Sequence, residues 1–145
     1  MSEFLVRVGI FLLRGIALLP RPVVRWLSNV FGDILYLLAT PRRRVTLRNL
    51  ELCFPEMDER ERRRIARGHF RAFVRSFIDR FVFWFGSPDR IRRLCSVEGY
   101  ERFEAHQHRP VILLAPHFVG MDAGGVRITL ESTFASMFAV QKSKV

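Results

Sequence analysis

A histidine and an aspartate, His117 and Asp122, stand five positions apart in a largely apolar stretch of this sequence. On one continuous helix, that spacing rotates the second side chain by about 140° beyond a full turn, so the pair would point apart. The two can meet if the histidine lies in a turn and the aspartate at a helix start. A carboxylate on one ring nitrogen would then leave the other as a general base, beside backbone N–H groups that can bind an oxyanion. On spacing alone, a simpler interpretation is favoured, in which His117 closes a loop and Asp122 caps a helix.

The residues around this pair predict a strand, a turn and a helix. Residues 111–115 are an unbroken apolar run, as expected for a central strand that is covered on both faces. Pro116 ends the run, because proline cannot donate to a sheet ladder. Gly120 loosens the turn, and Asp122 is a suitable N-cap for a helix over about 123–130.

Further strands and helices are predicted on both sides of this stretch. Residues 96–99 and 134–140 are the other strand candidates, and short helices are predicted from Ser87 to Leu94 and over 100–106. Strands that alternate with helices are typical of a layered fold. The fold class predicted for this part of the chain is therefore α/β.

Two apolar helices are predicted at the N-terminus, over residues 4–19 and 23–40. Arg7, Arg14 and Arg21 recur every seven residues and so fall near one helical face. No small-residue cleavage site follows the first apolar run, so a signal peptide is not expected. We interpret the two helices as a hairpin that lies in, or dips through, a membrane surface; the alternative is a soluble hairpin packed on the rest of the fold.

A basic connector is predicted next, over residues 41–48, and a short helix over 45–52. The connector is either a solvated loop or a clamp for lipid phosphates. A long amphipathic helix is then predicted from Asp58 to about Phe85. Its apolar face consists of Ala66, Phe70, Phe73, Val74, Phe77, Ile78, Phe81, Val82 and Phe85. Its opposite face carries Arg60, Arg64, Arg67, Arg71, Arg75 and Asp79, a stripe that is either solvated or in contact with an anionic partner.

Composition narrows the class of partner. The chain has 145 residues and a net charge of +10, with nearly all of the positive charge from arginine. This charge indicates an anionic partner: a phospholipid surface, a phosphorylated ligand, an acidic protein or nucleic acid. Cys53 and Cys95 form a lone, widely spaced pair in apolar surroundings, and we interpret them as two buried, reduced thiols. The histidines have no metal-binding spacing with them, so no metal is expected.

Four features, taken in order, resemble the late acyltransferases of lipid A biosynthesis, the Kdo-lipid A lauroyl/myristoyl transferase family within the lysophospholipid acyltransferase superfamily. The apolar start is similar to that family's membrane anchor. Residues 48–55, Arg-Asn-Leu-Glu-Leu-Cys-Phe-Pro, resemble its Asn-Leu…Cys-Phe-Pro segment. The long helix from Asp58 falls where the family has one. Residues 111–122 match the strand that leads into the family's His-x-x-x-x-Asp/Glu motif.

The resemblance implies transfer of a fatty acyl chain from the thioester of acyl carrier protein to a hydroxyl of a lipid A precursor or related glycolipid. It implies that His117 is the general base and that Asp122 orients it, with Phe118, Gly120 and Met121 in contact with substrate. It also implies a location on the cytoplasmic face of the bacterial inner membrane, and no cofactor, because the thioester is already activated. No nucleic-acid partner is expected, since the apolar N-terminus does not suit a soluble binder and no nucleic-acid-binding module is recognised. On this basis residues 1–40 are expected to be the membrane-anchoring hairpin, and 41–145 the N-terminal part of an acyltransferase domain.

Two expectations compete with catalysis by this chain. Family members are about twice as long, so the resemblance covers an N-terminal half, and the isolated chain is expected to be inactive. The alternative function is a non-catalytic basic protein that binds a membrane surface or nucleic acid, or a scaffold that has kept the fold and lost the reaction.

Overall fold

The computed structural model describes residues 3–133 and 135, which form seven helices. In chain order these are α1 (Glu3–Ala17), α2 (Arg21–Leu38), α3 (Thr40–Cys53), α4 (Glu59–Phe85), α5 (Pro88–Leu94), α6 (Tyr100–Glu104) and α7 (Met121–Thr129). The predicted positions of α1, α2, α4 and α5 are confirmed to within a few residues.

Side-chain caps fix the starts of α4 and α5, as the sequence predicts. The carboxylate of Asp58 accepts a hydrogen bond of 2.8 Å from the N–H of Glu61 at the start of α4. The hydroxyl of Ser87 accepts one of 3.3 Å from the N–H of Arg90 at the start of α5. Each cap satisfies an N–H that the first helical turn leaves without a partner inside the helix.

The long helix α4 is the centre of the fold, because α1, α2, α3 and α7 all pack against it and α2 does so most extensively. The buried apolar side chains come mainly from these helices: Ala17, Val24, Ala66, Phe70, Val82 and Ile91. Ser28 is also buried, and its hydroxyl donates a 2.7 Å hydrogen bond to the carbonyl of Val24 in its own helix.

The tightest approach of two helices is at Gly32 in α2. A Cβ atom at this position would lie 2.5 Å from the Cα of Arg71 in α4, so the contact leaves no room for any side chain. The neighbouring Asp33 then bridges the helices: its two carboxylate oxygens accept hydrogen bonds of 2.8 and 2.7 Å from the guanidinium of Arg71. Arg67 adds a second ion pair to Asp33 at 3.3 Å. Close backbone packing and a forked ion pair thus hold α2 on α4.

The predicted α/β fold is wrong for the part of the chain that the structure describes, which contains helices and no strand. Residues 111–115 form no regular secondary structure, and their backbone makes no hydrogen bond to any described residue. Ile112 and Leu114 are both 96% exposed. An apolar run becomes a central strand only where neighbouring strands and covering layers are available, and the described residues supply neither. The predicted strand over 134–140 lies outside the described residues, apart from Ala135.

Three other predictions need correction. Residues 96–99 form no strand, and the region predicted as a basic connector is the first half of α3, since Pro41 is tolerated in the first turn of a helix. Cys53 and Cys95 are free thiols, but neither is fully buried: Cys53 is exposed because it ends α3 on the protein surface, and Cys95 is half-buried.

The membrane part of the predicted fold is also revised. No helix within the described residues combines the length and the apolar character that crossing a bilayer requires. The apolar side chains of α2 that do not face α4 instead form an exposed strip along one side of the helix, which we call the apolar strip. It consists of Val23, Trp26, Val30, Ile34 and Leu37; Phe31 and Leu38 are also exposed, at one side of the strip.

We expect Gly32→Ala to destabilise the protein by about 1 to 3 kcal/mol, because the new methyl group would have to push α2 away from the α4 backbone. The matched control is Gly68→Ala in α4, where nothing lies within 4 Å of the new Cβ. That change should be neutral or should stabilise by up to about 1 kcal/mol, since alanine favours the helix. Denaturant unfolding in detergent micelles, followed by circular dichroism, measures both; equal effects would contradict the close approach.

Asp33 should make part of the stability depend on pH. The hydrogen bond from Arg71, together with the charges of Arg71 and Arg67, holds the pKa of the Asp33 carboxyl below its ordinary value. A carboxyl whose pKa is lower in the folded than in the unfolded state stabilises the fold above a pH of about 4, and that contribution is lost as the pH falls through the folded value. We expect Asp33→Asn to cost about 1 kcal/mol at neutral pH and progressively less below a pH of about 4. A difference between the two proteins that stays constant down to acid pH would exclude this role.

Candidate active site

The backbone turns sharply at His117. The N–H of Phe118 donates a 2.8 Å hydrogen bond to the carbonyl of Pro116, which closes a three-residue turn around the histidine. A second turn follows, in which the N–H of Met121 donates to the carbonyl of Phe118 at 3.1 Å. The predicted turn that carries His117 is therefore present, and it leads directly into α7.

Asp122 lies one step further into the helix than the sequence predicts. The N-cap of α7 is Gly120, which offers no side chain, and Asp122 is the second residue of the helix. Its carboxylate lies in the first turn, where a negative charge interacts favourably with the helix dipole. Asp122 is thus placed at the N-terminus of α7 without being its cap.

The partner of Asp122 in the structure is Arg80 of α4. The Nε–H of Arg80 donates to Oδ2 of Asp122 at 2.5 Å, and both side chains are partly exposed. The guanidinium also lies 4.7 Å from the ring centre of Phe77, one turn earlier in α4. Because a ring face attracts a cation, Phe77 helps to fix where Arg80 presents its charge.

His117 and Asp122 are not joined by a hydrogen bond. His117 is exposed and makes no hydrogen bond or ion pair with any residue of 3–133. Oδ1 of Asp122 is likewise without a hydrogen bond among the described side chains, since Arg80 binds only Oδ2. The structure thus leaves open, on each residue, the atoms that a histidine–carboxylate pair would use.

The three predicted substrate contacts lie around the same turn. Phe118 is 74% exposed, Met121 is half-buried, and Gly120 lies between them. Gly120 has an ordinary negative φ and no atom within 4 Å of the place where a Cβ would be. The structure therefore shows no steric or conformational need for glycine here.

Arg80 is the residue that sequence reasoning missed. It stands 42 positions before Asp122, in a helix that contains many other arginines, so nothing in the local sequence distinguishes it. Only the packing of α7 on α4 identifies which arginine meets the carboxylate.

A small cavity lies beside the start of α7. Its volume is about 170 Å³, and its lining includes Asp79, Cys95 and Ala123. Burial raises the pKa of Asp79, although Arg75 at 3.6 Å and Arg21 oppose the change. Burial also raises the pKa of the Cys95 thiol, with the charge of Asp79 adding to the effect. Cys95 is therefore less ready to form a thiolate than a free cysteine.

A metal site usually needs at least three histidine, cysteine, aspartate or glutamate side chains close together. The described part of the chain contains no such group. The chemistry that the site offers is thus that of a histidine, a carboxylate and a guanidinium.

Comparison with known proteins gives one family. The sequence model of the bacterial lipid A biosynthesis acyltransferase family matches residues 1–145. A lipid A biosynthesis acyltransferase of Haemophilus influenzae is 34% identical over 119 residues, which are 81% of this chain and 38% of the relative. A lipid A biosynthesis lauroyltransferase of Escherichia coli is 32% identical over 123 residues, 83% of this chain and 40% of the relative. The chain thus spans about two-fifths of the length of these relatives. No solved structure matches it.

The ion pair between Arg80 and Asp122 should hold α7 on α4. We expect Arg80→Gln to weaken this packing by about 0.5 to 1 kcal/mol, as is usual for a partly exposed pair. Amide hydrogen exchange should then become several times faster in α7 and unchanged in α5. Arg93→Gln, at an exposed arginine of α5, is the control. Unchanged exchange in α7 would show that the pair contributes nothing to its position.

Proposed function

The chain belongs to the bacterial lipid A biosynthesis acyltransferase family, and from this premise we propose that it forms part of an enzyme that transfers a fatty acyl chain to a hydroxyl of a lipid A precursor or a related glycolipid. The acyl donor in this proposal is the thioester of acyl carrier protein. The observation that carries the proposal is the placement of His117 in a tight turn that leads into α7, with Asp122 anchored in the first turn of that helix.

His117 is the general base in the proposed reaction. One ring nitrogen takes the proton of the acceptor hydroxyl as the oxygen attacks the thioester carbonyl. The carbon–sulfur bond then breaks, the acyl group remains on the acceptor oxygen as an ester, and the imidazolium returns its proton to the departing thiolate. Atoms and charges balance without a further reactant, because the thioester is already activated.

Asp122 positions the histidine. When the His117 side chain turns towards α7, its second ring nitrogen can donate to Oδ1 of Asp122 while Arg80 keeps its hydrogen bond to Oδ2. This arrangement fixes the tautomer of the imidazole and stabilises the imidazolium that forms. Phe118, Gly120 and Met121, which surround the same turn, are the proposed contacts to substrate.

The proposed location is the cytoplasmic face of the bacterial inner membrane. The apolar strip of α2 supports contact with a bilayer surface, because exposed apolar side chains along one side of an amphipathic helix favour an interface over water. Trp26, at 62% exposure, is the type of side chain that such interfaces select. Residues 1–40 are thus the proposed membrane-contacting part, and residues 41–145 the N-terminal part of the acyltransferase domain.

We expect His117→Ala to lower acyl transfer by about 10²- to 10⁴-fold, the usual contribution of a general base. The assay follows an acyl chain from acyl carrier protein to a phosphorylated glycolipid in detergent micelles. It uses the chain extended to the length of its relatives, with the 145-residue chain beside it. The matched control is His108→Ala, which removes another exposed histidine outside the motif and should leave the rate unchanged.

Two outcomes would count against this proposal. Equal rates for the His117→Ala and His108→Ala proteins would show that the histidine is not the base. If no phosphorylated lipid accepts an acyl chain while binding to vesicles persists, the non-catalytic membrane-surface protein becomes the better interpretation.

A further inference from the structure

An arginine-rich groove lies on the polar side of the contact between α2 and α4. It is lined by Tyr36 and by five arginines of α4, Arg60, Arg63, Arg64, Arg67 and Arg71, and we call it the arginine groove. The arginines recur at three- and four-residue intervals, so their side chains emerge from one side of the helix. The first four are exposed, and Arg71 is half-buried.

The positive charge of the groove is only partly balanced. Arg63 pairs with Glu59, Arg64 pairs with Glu61, and Arg67 and Arg71 share Asp33. Five guanidinium groups therefore meet three carboxylates, which leaves two positive charges in excess. Arg60 makes no ion pair or hydrogen bond with any described residue.

Several of these side chains are held in place before any partner arrives. The guanidinium of Arg67 lies 5.8 Å from the ring centre of Tyr36, and that of Arg43 in α3 lies 5.3 Å from the same ring. Arg43 also donates a 3.0 Å hydrogen bond to the carbonyl of Tyr36, and it adds a third positive charge beside the groove. Side chains that are already ordered lose less conformational entropy when they bind a partner.

The geometry of α2 separates this groove from the proposed membrane face. At about 100° per residue, the apolar strip is centred about 120° around the helix axis from Tyr36. Asp33, which pairs with Arg67 and Arg71, lies about 60° from the strip centre, on the same side as Tyr36. If the strip lies on a bilayer, Tyr36 therefore points away from the lipid and the groove opens to the side. A groove that opens to the side is within reach of a soluble acidic protein, whose charge is complementary to the excess arginines.

We propose that the arginine groove docks an acidic surface of the carrier protein that delivers the acyl thioester. This inference rests on the proposed function for the identity of the partner. Arg67 and Arg80 are 13 residues apart in α4, so the groove lies about 20 Å along the helix axis from the arginine that holds Asp122. The docked protein must therefore present its acyl group on an extended arm.

The test is a binding measurement that needs no turnover. The 145-residue chain is placed in nanodiscs of phosphatidylcholine, a zwitterionic lipid with no net charge, and titrated with fluorescently labelled holo acyl carrier protein. We expect the double variant Arg60→Glu/Arg64→Glu to weaken binding by about tenfold, and Arg60→Gln/Arg64→Gln by about threefold, since charge complementarity is lost. Binding of the unchanged chain should weaken steeply as salt rises from about 0.05 to 0.5 M.

The matched control is Arg93→Glu/Arg102→Glu, which changes the net charge by the same amount at exposed positions in α5 and α6. It should alter affinity by less than about threefold. An equal loss in the control would show that net charge alone drives association, and would overturn the proposal. The neutral variant keeps the test valid if the charge reversals perturb α4, whose helicity is checked by circular dichroism.

Two further measurements, binding to anionic vesicles and acyl transfer, separate the docking proposal from membrane binding and from failure of the proposed function. If the groove variants bind carrier protein normally but lose affinity for vesicles that contain phosphatidylglycerol, the partner is the membrane and the proposal fails. The proposed function fails on a different measurement, the insensitivity of acyl transfer to His117→Ala. Normal carrier-protein binding by the groove variants, with transfer still dependent on His117, would overturn the docking proposal alone.

Discussion

The close contact between α2 and α4 is the constraint on which the rest of this structure depends. Gly32 lets the two backbones approach at Arg71, and the forked hydrogen bonds from Arg71 to Asp33 fix the register between the helices. The same crossing brings Tyr36 against Phe70, whose ring centre lies 5.5 Å away in an edge-to-face arrangement. A side chain larger than hydrogen at position 32 would separate the helices, so the packing of α2 on α4 and the arginine groove beside it both depend on one glycine.

This contact divides α2 into three sectors. Val24, Ser28 and Gly32 are buried towards α4, the sector with Asp33 and Tyr36 meets arginines, and the apolar strip remains exposed. An amphipathic helix in an ordinary soluble domain has only two sectors, one in the core and one in water. The third sector is apolar surface that α4 does not cover, and apolar surface of this extent is typical of a site that contacts a membrane or another protein.

The sequence predicted correctly the features that depend on neighbouring residues, such as helix starts. It failed to predict features that depend on contacts between distant parts of the chain. Asp58 and Ser87 identified two helix starts because a cap needs only a side chain and an N–H three residues on. The apolar run at 111–115 was read as a buried strand, yet burial depends on neighbours that the run does not itself encode. Asp122 was predicted to be a site residue from the resemblance that its spacing to His117 supports, whereas its partner Arg80 is a tertiary contact that leaves no local signal. The resemblance to lipid A acyltransferases rested on several short motifs in order, and the family match confirmed it.

The ion pair between Arg80 and Asp122 affects what Asp122 can contribute to the proposed reaction beside His117. A carboxylate that already interacts with a guanidinium has part of its charge neutralised, so it stabilises a nearby imidazolium less than an isolated carboxylate would. The same ion pair helps Asp122 to orient a partner. Arg80, which lies over the ring of Phe77, limits the rotation of the Asp122 carboxylate and leaves Oδ1 as the oxygen for a second donor. Two successive turns, closed at Phe118 and at Met121, connect His117 to the start of α7. On this reasoning, the proposed role of Asp122 is chiefly to orient the proposed base.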